Sequence, residues 1–204
     1  MGNKDRFIEL LKSTHRKGID DLIEYLVSTD FFTAPASTKY HCDYEGGLCQ
    51  HSLNVYDSIM KLKDTFNLNI PNDTLTIVSL LHDISKVNFY EDYIQNRKWY
   101  NPNGKKYDEN GNFDWVSVKT YKIKEPELRF LAGDHGYNSV VLIRGFINLS
   151  LAEEVAILNH HAGMDNNFCN RDLNSIYNRY QLAPLLHLAD MLSVYILENN
   201  EQQN

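Results

Sequence analysis

The chain has 204 residues, 43% of them hydrophobic and 23% charged, with a formal net charge of −7. That length fits one domain able to bury a sizeable core, and the composition excludes a disordered or fibrous chain. The negative charge excludes a global basic footprint for holding long nucleic acid by its phosphates. No apolar run approaches the roughly 18 residues a membrane span needs, and the polar start MGNKDRFIEL has no secretory core. Arg6 stands where a myristoylation signal wants Ser or Thr. Cytoplasmic residence, with no membrane partner, is the expectation. Cys42, Cys49 and Cys169 form no C-x-x-C pair and read as reduced thiols.

Helical periodicity dominates the chain. RFIELLKSTHRKGIDDLIEYLVST predicts one or two amphipathic helices, with Ile8, Leu11, Ile19, Leu22, Ile23 and Leu26 on one buried stripe. FFTAPASTKYH, with Pro35 and small polar residues, predicts a connecting loop. Gly46 and Gly47 punctuate the chain before a helix expected from about Leu48 to Lys63. PNDTLTIVSLLHDISKV opens with Pro71 and capping residues, the start of another helix. The character changes between 88 and 127. NPNGKKYDENGN is dense in turn formers and FDWVSVKTYKI is β-branched and aromatic, which predicts a β-hairpin or irregular insertion. Helices resume with NSVVLIRGFI, SLAEEVAILNHH and APLLHLADMLSVYILE, where Ser150 and Glu153 spell a capping box and Pro184 suits a first turn. The expectation is an all-α helical bundle in one domain over 1–204. Its parts are N-terminal helices over 1–34, a core over 35–198 carrying the insertion at 88–127, and a frayed tail at 199–204.

The stretch HCDYEGGLCQH crowds two histidines and two cysteines between positions 41 and 51. A structural zinc site wants two closely spaced Cys or His pairs. Cys42 and Cys49 are seven apart, and Cys49 and His51 would lie about 200° apart around a helix. His51 instead shares a stripe with Val55, Ile59 and Leu62, where a histidine is either a hydrogen-bonded core residue or a ligand. In LLHDISK, adjacent His82 and Asp83 can reach one ion, and Lys86 falls on the same face. A buried His–Asp pair is costly unless paired or metal-bound. Asp190 lies on the stripe of Leu186, Val194 and Leu197, so its carboxylate points inward and needs a cation or strong donors; a salt bridge to a buried Arg or Lys, such as Lys86, would also serve. His135 opens a helix, and His160 and His161 end one. Each of these histidines also reads as a cap, a turn or a surface residue. Taken together they are what a metal-lined bundle core requires.

The ordered series His51, His82-Asp83, His135, His160, Asp190 resembles that of the HD-domain metal-dependent phosphohydrolases. The resemblance is carried by APASTKYHCDYEGGLCQHSLNV, LLHDISKV, GDHGYNSV, NHHAG and HLADMLS, over roughly residues 35 to 195. The first and last of these are also similar to the HD domain of bacterial 3′→5′ exoribonucleases and of small stand-alone relatives. The resemblance implies a hydrolase of phosphate esters in nucleotides, a phosphodiesterase or nucleotidase using a metal-activated hydroxide. An exoribonuclease-like action on short oligonucleotides is the alternative, and a non-catalytic metal- or nucleotide-binding module is the alternative of another class.

The resemblance further implies a metal on His51, His82, Asp83 and Asp190. A second would sit on His135 and His160, with Asp83 bridging. Such nitrogen and oxygen ligands suit Mn, Fe, Ni, Co or Zn. Lys86 would neutralise charge on phosphoryl oxygens, and His161 would serve as ligand or general acid. His187 would stand behind the ligands. His41 is expected to contact phosphate or to cap. The implied partner is a small anionic nucleotide or short oligonucleotide, and a homo-oligomer is allowed. Between Lys86 and Arg129 lie nine Lys/Arg, seven Asp/Glu and nine of the 24 aromatics. This segment reads either as a hairpin packing its own small core or as a lid that stacks a base.

Overall fold

The computed structural model describes residues 1–129, 131, 134–161 and 170–198; Cys169 and the tail at 199–204 lie outside the described residues. The amphipathic N-terminal stretch forms two helices, α1 (Asn3–Ser13) and α2 (Ile19–Ser28). The break falls at Gly18, whose φ of 87° is left-handed and whose missing side chain would meet the Phe146 carbonyl at 2.1 Å. No other residue fits there. Leu11, Ile19, Leu22, Ile23 and Leu26 are buried as the stripe requires. Phe7 takes the inner position beside them and leaves Ile8 half-buried, because the stripe in α1 runs one residue earlier.

The loop over FFTAPASTKYH leads to α3 (Gly47–Thr65), then α4 (Asn72–Leu81) and a 3-10 turn, Ile84–Lys86. Gly47 is needed for close approach, since a side chain there would lie 1.9 Å from the Cys42 carbonyl oxygen. After the insertion come α5 (His135–Arg144), α6 (Leu151–Leu158), α7 (Asn170–Arg179) and α8 (Leu182–Leu192). A π turn, Ser193–Leu197, continues α8. Ser150 and Glu153 form the capping box, and Pro184 lies in the first turn of α8. α3 packs on α4 and α8, and α6 packs on α8 and α5. The core is the apolar faces of these helices.

Two expectations are corrected. The fold is mostly helical but not all-α. The insertion is a long antiparallel ribbon of β1 (Tyr90–Tyr100) and β3 (Gly111–Ile123), with β2 (Lys106–Asp108) on the free side of β3. Its register runs unbroken from Tyr90 opposite Ile123 to Tyr100 opposite Phe113. The other difference is α7, a polar helix for which the sequence carries no apolar run. Its few apolar residues, Leu173, Ile176 and Tyr177, recur at helical spacing, and the last two pack partly against the core, as does Tyr180 just beyond its end. No single helix among the described residues is long and apolar enough to cross a membrane.

Candidate metal centre

Five helices deliver polar residues to one buried place. His51 comes from the second turn of α3, Asp190 from the last turn of α8, and His82 from the residue that ends α4. Asp83 sits between α4 and the 3-10 turn. Three-residue spacing eclipses side chains in such a turn, and Lys86 Nζ accordingly lies 2.7 Å from Asp83 Oδ2. His135 is the first residue of α5, fixed by Asp134, whose side chain accepts from the backbone N–H groups of Gly136 and Tyr137. Ser85 ties the 3-10 turn to that helix by donating its hydroxyl to the His135 carbonyl at 2.9 Å. His160 and His161 follow the end of α6. That helix is anchored by Glu153, which closes the capping box and also pairs with Arg16 at 2.5 Å.

Two groups face the Asp83 carboxylate, with His135 and His161 half-buried and the rest buried; a third, His41, His51 and Glu198, overlaps the first through His51. Oδ2 of Asp83 lies 3.7 Å from His51 Nε2 and 3.5 Å from His82 Nε2. Oδ1 lies 3.7 Å from His135 Nε2 and 3.5 Å from His160 Nε2. Asp190 Oδ1 completes the first side at 3.2 Å from His51 Nε2, and His161 joins the second. His51, His82 and Asp190 can hold a metal ion, and so can Asp83, His135, His160 and His161.

The hydrogen bonds fix which atoms face inward. His82 Nδ1 donates to the Ser79 carbonyl at 2.8 Å and His160 Nδ1 to the Ile157 carbonyl at 2.6 Å. His51 Nδ1 donates to Glu198 Oε1 at 2.9 Å. When neutral, each ring turns its Nε2 lone pair inward, and the Nε2 atoms of His51 and His82 stand only 3.3 Å apart. Lone pairs and carboxylate oxygens do not converge in a buried site without a cation among them. Asp83 Oδ1, Asp190 Oδ1, His135 Nε2 and His160 Nε2 are buried without a hydrogen-bond partner. Histidines whose second nitrogen is held by a carbonyl or carboxylate are the usual form of metal-binding histidine. The residues present therefore fit a divalent metal.

Without a metal, protons carry part of that load. Burial opposes a charge on His51, but Asp190 and Glu198 at its two nitrogens prevail and raise its pKa to about 10. Burial works against the Asp83 carboxylate too, yet Lys86, His82 and His160 hold its pKa well below the usual range. Where no carboxylate prevails, burial decides. It lowers His135 to about 4, and with neighbouring His160 it lowers His161 to about 2.

His41 also belongs here. Its ring centroid is 4.9 Å from that of His51, and both its nitrogens are buried without a hydrogen-bond partner. Burial, with His51 and Lys86 nearby, lowers its pKa to about 4. Lys86 meets Asp83, not Asp190, and also donates to the Ala36 carbonyl at 3.0 Å, which accepts from the Tyr90 hydroxyl as well. His187 stands behind His160, donating from Nδ1 to its carbonyl oxygen at 2.7 Å.

Glu198 was missed. An unbroken α-helix from Asp190 brings Leu197 inward at plus seven, but Leu197 is 42% exposed and Glu198, at plus eight, only 2%. The π turn inserts one residue into the helical repeat and exchanges the two. Asn54, one turn after His51, supports Glu198 by donating to Oε1 at 2.9 Å. Neither a glutamate in an apolar run nor an asparagine on α3 announces this pairing in the sequence.

The segment between Lys86 and Arg129 is mostly its own structure. Phe113 is buried at the ribbon's tip with Tyr100 and Trp115 ring centroids at 5.7 and 5.8 Å. Phe89 lines a cavity of about 150 Å³ together with Lys86, Arg129 and His135. Trp99 and Tyr107 are exposed along the ribbon.

This chain is similar to a phosphodiesterase. Over 84 residues, 39% of its length, it is 31% identical to the dihydroneopterin 2′,3′-cyclic phosphate phosphodiesterase of Methanocaldococcus jannaschii. The similarity covers 31% of that protein's length. No family model and no solved structure matches the chain. A buried group of His, Asp and Glu able to hold metal, in a chain similar to a phosphodiesterase, supports hydrolysis of a phosphoester.

Proposed function

We propose that the chain is a metal-dependent phosphohydrolase of the HD type, acting on phosphate esters of small nucleotides. A phosphodiester is the favoured bond, because the similar protein is a phosphodiesterase. The observation that carries the reading is Asp83, whose two oxygens face two separate sets of inward-turned imidazoles. In the proposal His51, His82, Asp190 and Asp83 hold one divalent ion. His135, His160, His161 and the same Asp83 hold another. Mn, Fe, Ni, Co and Zn all suit such donors.

Ions held there supply Lewis acidity toward water and toward a phosphoryl oxygen. The chain's own contribution is placement and charge. Ser79, Ile157 and Glu198 fix the orientation of three imidazoles before any ligand arrives. Lys86 holds Asp83 in place, and of its three N–H groups one remains after Asp83 and Ala36. With Arg129, which lines the same cavity, it offers fixed positive charge to phosphoryl oxygens. His161 acts as a ligand in this reading, since its Nε2 stands within the second set. His41, beside His51 with two open nitrogens, meets the substrate.

Turnover of bis-p-nitrophenyl phosphate and of a nucleotide panel, with Mn, Fe, Ni, Co or Zn added as the divalent ion, tests the proposal. Wild type is expected to hydrolyse a member of the set. Asp83→Ala is expected to fall to background, and a chelator to silence the wild type reversibly. No turnover by wild type with any of the five metals would overturn the hydrolase and favour a binding module. Elemental analysis of His135→Ala is expected to show one metal fewer per chain, and unchanged stoichiometry would remove the second position.

A further inference from the structure

A cavity of about 380 Å³ opens beside the metal centre, with Asp190, His161 and His41 among its lining. Its other lining residues have no part in the hydrolysis proposed above. Tyr40, in the loop before α3, and Tyr195, in the π turn, are 66% and 52% exposed, and Met191 and Val194 line it too. We propose that this cavity binds a flat heteroaromatic ring of the substrate, such as a nucleobase, and that Tyr40 and Tyr195 select for it. The inference rests on the phosphoester-hydrolase reading.

Position is the first argument. Asp190 and His161 belong both to the cavity lining and to the two groups proposed above to hold metal, so a ring bonded through a sugar to the reacting phosphoryl group reaches the cavity. Chemistry is the second. Two aromatic rings, a thioether and a valine offer stacking faces and apolar contact. The two sides of the centre are complementary in this respect. The cavity holding Lys86 and Arg129 is cationic and small, and the one holding the tyrosines is larger and apolar. Its volume is that of ordinary small-ligand sites. The π turn is the third argument, because such turns inside helices recur at functional sites, and this one carries Tyr195 into the lining.

The test uses metal-loaded full-length protein and two pairs of ligands, with and without a base. Calorimetry compares a nucleoside monophosphate with ribose 5-phosphate. Steady-state kinetics compares a nucleoside 2′,3′-cyclic phosphate with the base-free ribose cyclic phosphate. Tyr40→Leu and Tyr195→Leu are each expected to raise Kd and KM about tenfold for the base-bearing member, with kcat retained. The base-free member is expected to be unaffected, and Tyr40→Phe and Tyr195→Phe to restore wild-type values. Both positions are exposed, and melting curves confirm that each variant is folded. Equal weakening of both members, no weakening of either, or tighter binding of an alkyl phosphate than of the nucleoside monophosphate would overturn the ring site. Wild type that hydrolyses phosphoesters without any dependence on the tyrosines leaves the hydrolase and removes the ring site. Tyrosine-dependent binding of the nucleotide without hydrolysis of any ester removes the hydrolase and leaves the ring site. Failure of wild type to bind the nucleotide removes the ring site whatever the assay for hydrolysis returns.

Discussion

The helical body and the β-ribbon spend their polar residues in opposite ways. In the body, carboxylates and imidazoles are driven inward from five helices, where each needs a partner to be tolerable. In the ribbon, charged residues pair across the strands in solvent, as Lys119 does with Asp92 at 3.0 Å and Lys122 with Glu91 at 2.9 Å. The first arrangement is costly, and its polar groups point to a cation. The second is an exposed surface whose charges are worth little singly. Polar residues are therefore informative about function here in proportion to their burial, not their number.

Three substitutions sharpen or break that contrast. The largest effect is expected at Arg16, outside the candidate metal centre but paired with the fully buried Glu153 carboxylate. Arg16→Leu strands that charge and is expected to destabilise the protein by about 3 kcal/mol, read from urea unfolding at unchanged slope. A loss near zero would mean that the body tolerates buried charge as the ribbon does exposed charge. Glu198→Gln keeps the shape of the side chain but removes its charge behind His51. Metal affinity is expected to fall about tenfold in a competition titration, with the melting temperature little changed. Unaltered affinity would make Glu198 a packing residue only. The smallest effect is expected at Lys119, whose ion pair with Asp92 lies in solvent. Lys119→Ala is expected to leave the melting curve where it was, and a clear drop would show that the ribbon depends on its charges after all.

Much of the centre was legible because its residues obey simple periodicity. His51 lies on the stripe of Val55 and Ile59, both fully buried, and Asp190 on that of Leu186, also fully buried. Asp83 and Lys86 were legible as neighbours. What the sequence hid is where periodicity changes. Leu197 was read as inward because a helix was extended at a constant 3.6 residues per turn, and the π turn replaced it with Glu198. The length of the ribbon was hidden for a related reason. QNRKWY in β1 is polar and exposed, so its strand character comes from pairing with β3, not from its own alternation.

The Ala36 carbonyl oxygen accepts from Lys86 at the metal centre and from Tyr90 at the root of the ribbon, each at 3.0 Å. Both of its lone pairs are thereby used. The knot is tied on main chain, so the Ala36 side chain supplies none of its polar atoms. Each donor can be cut separately by substitution, and the ribbon's foothold and the aspartate's counter-ion therefore hang on a single shared anchor.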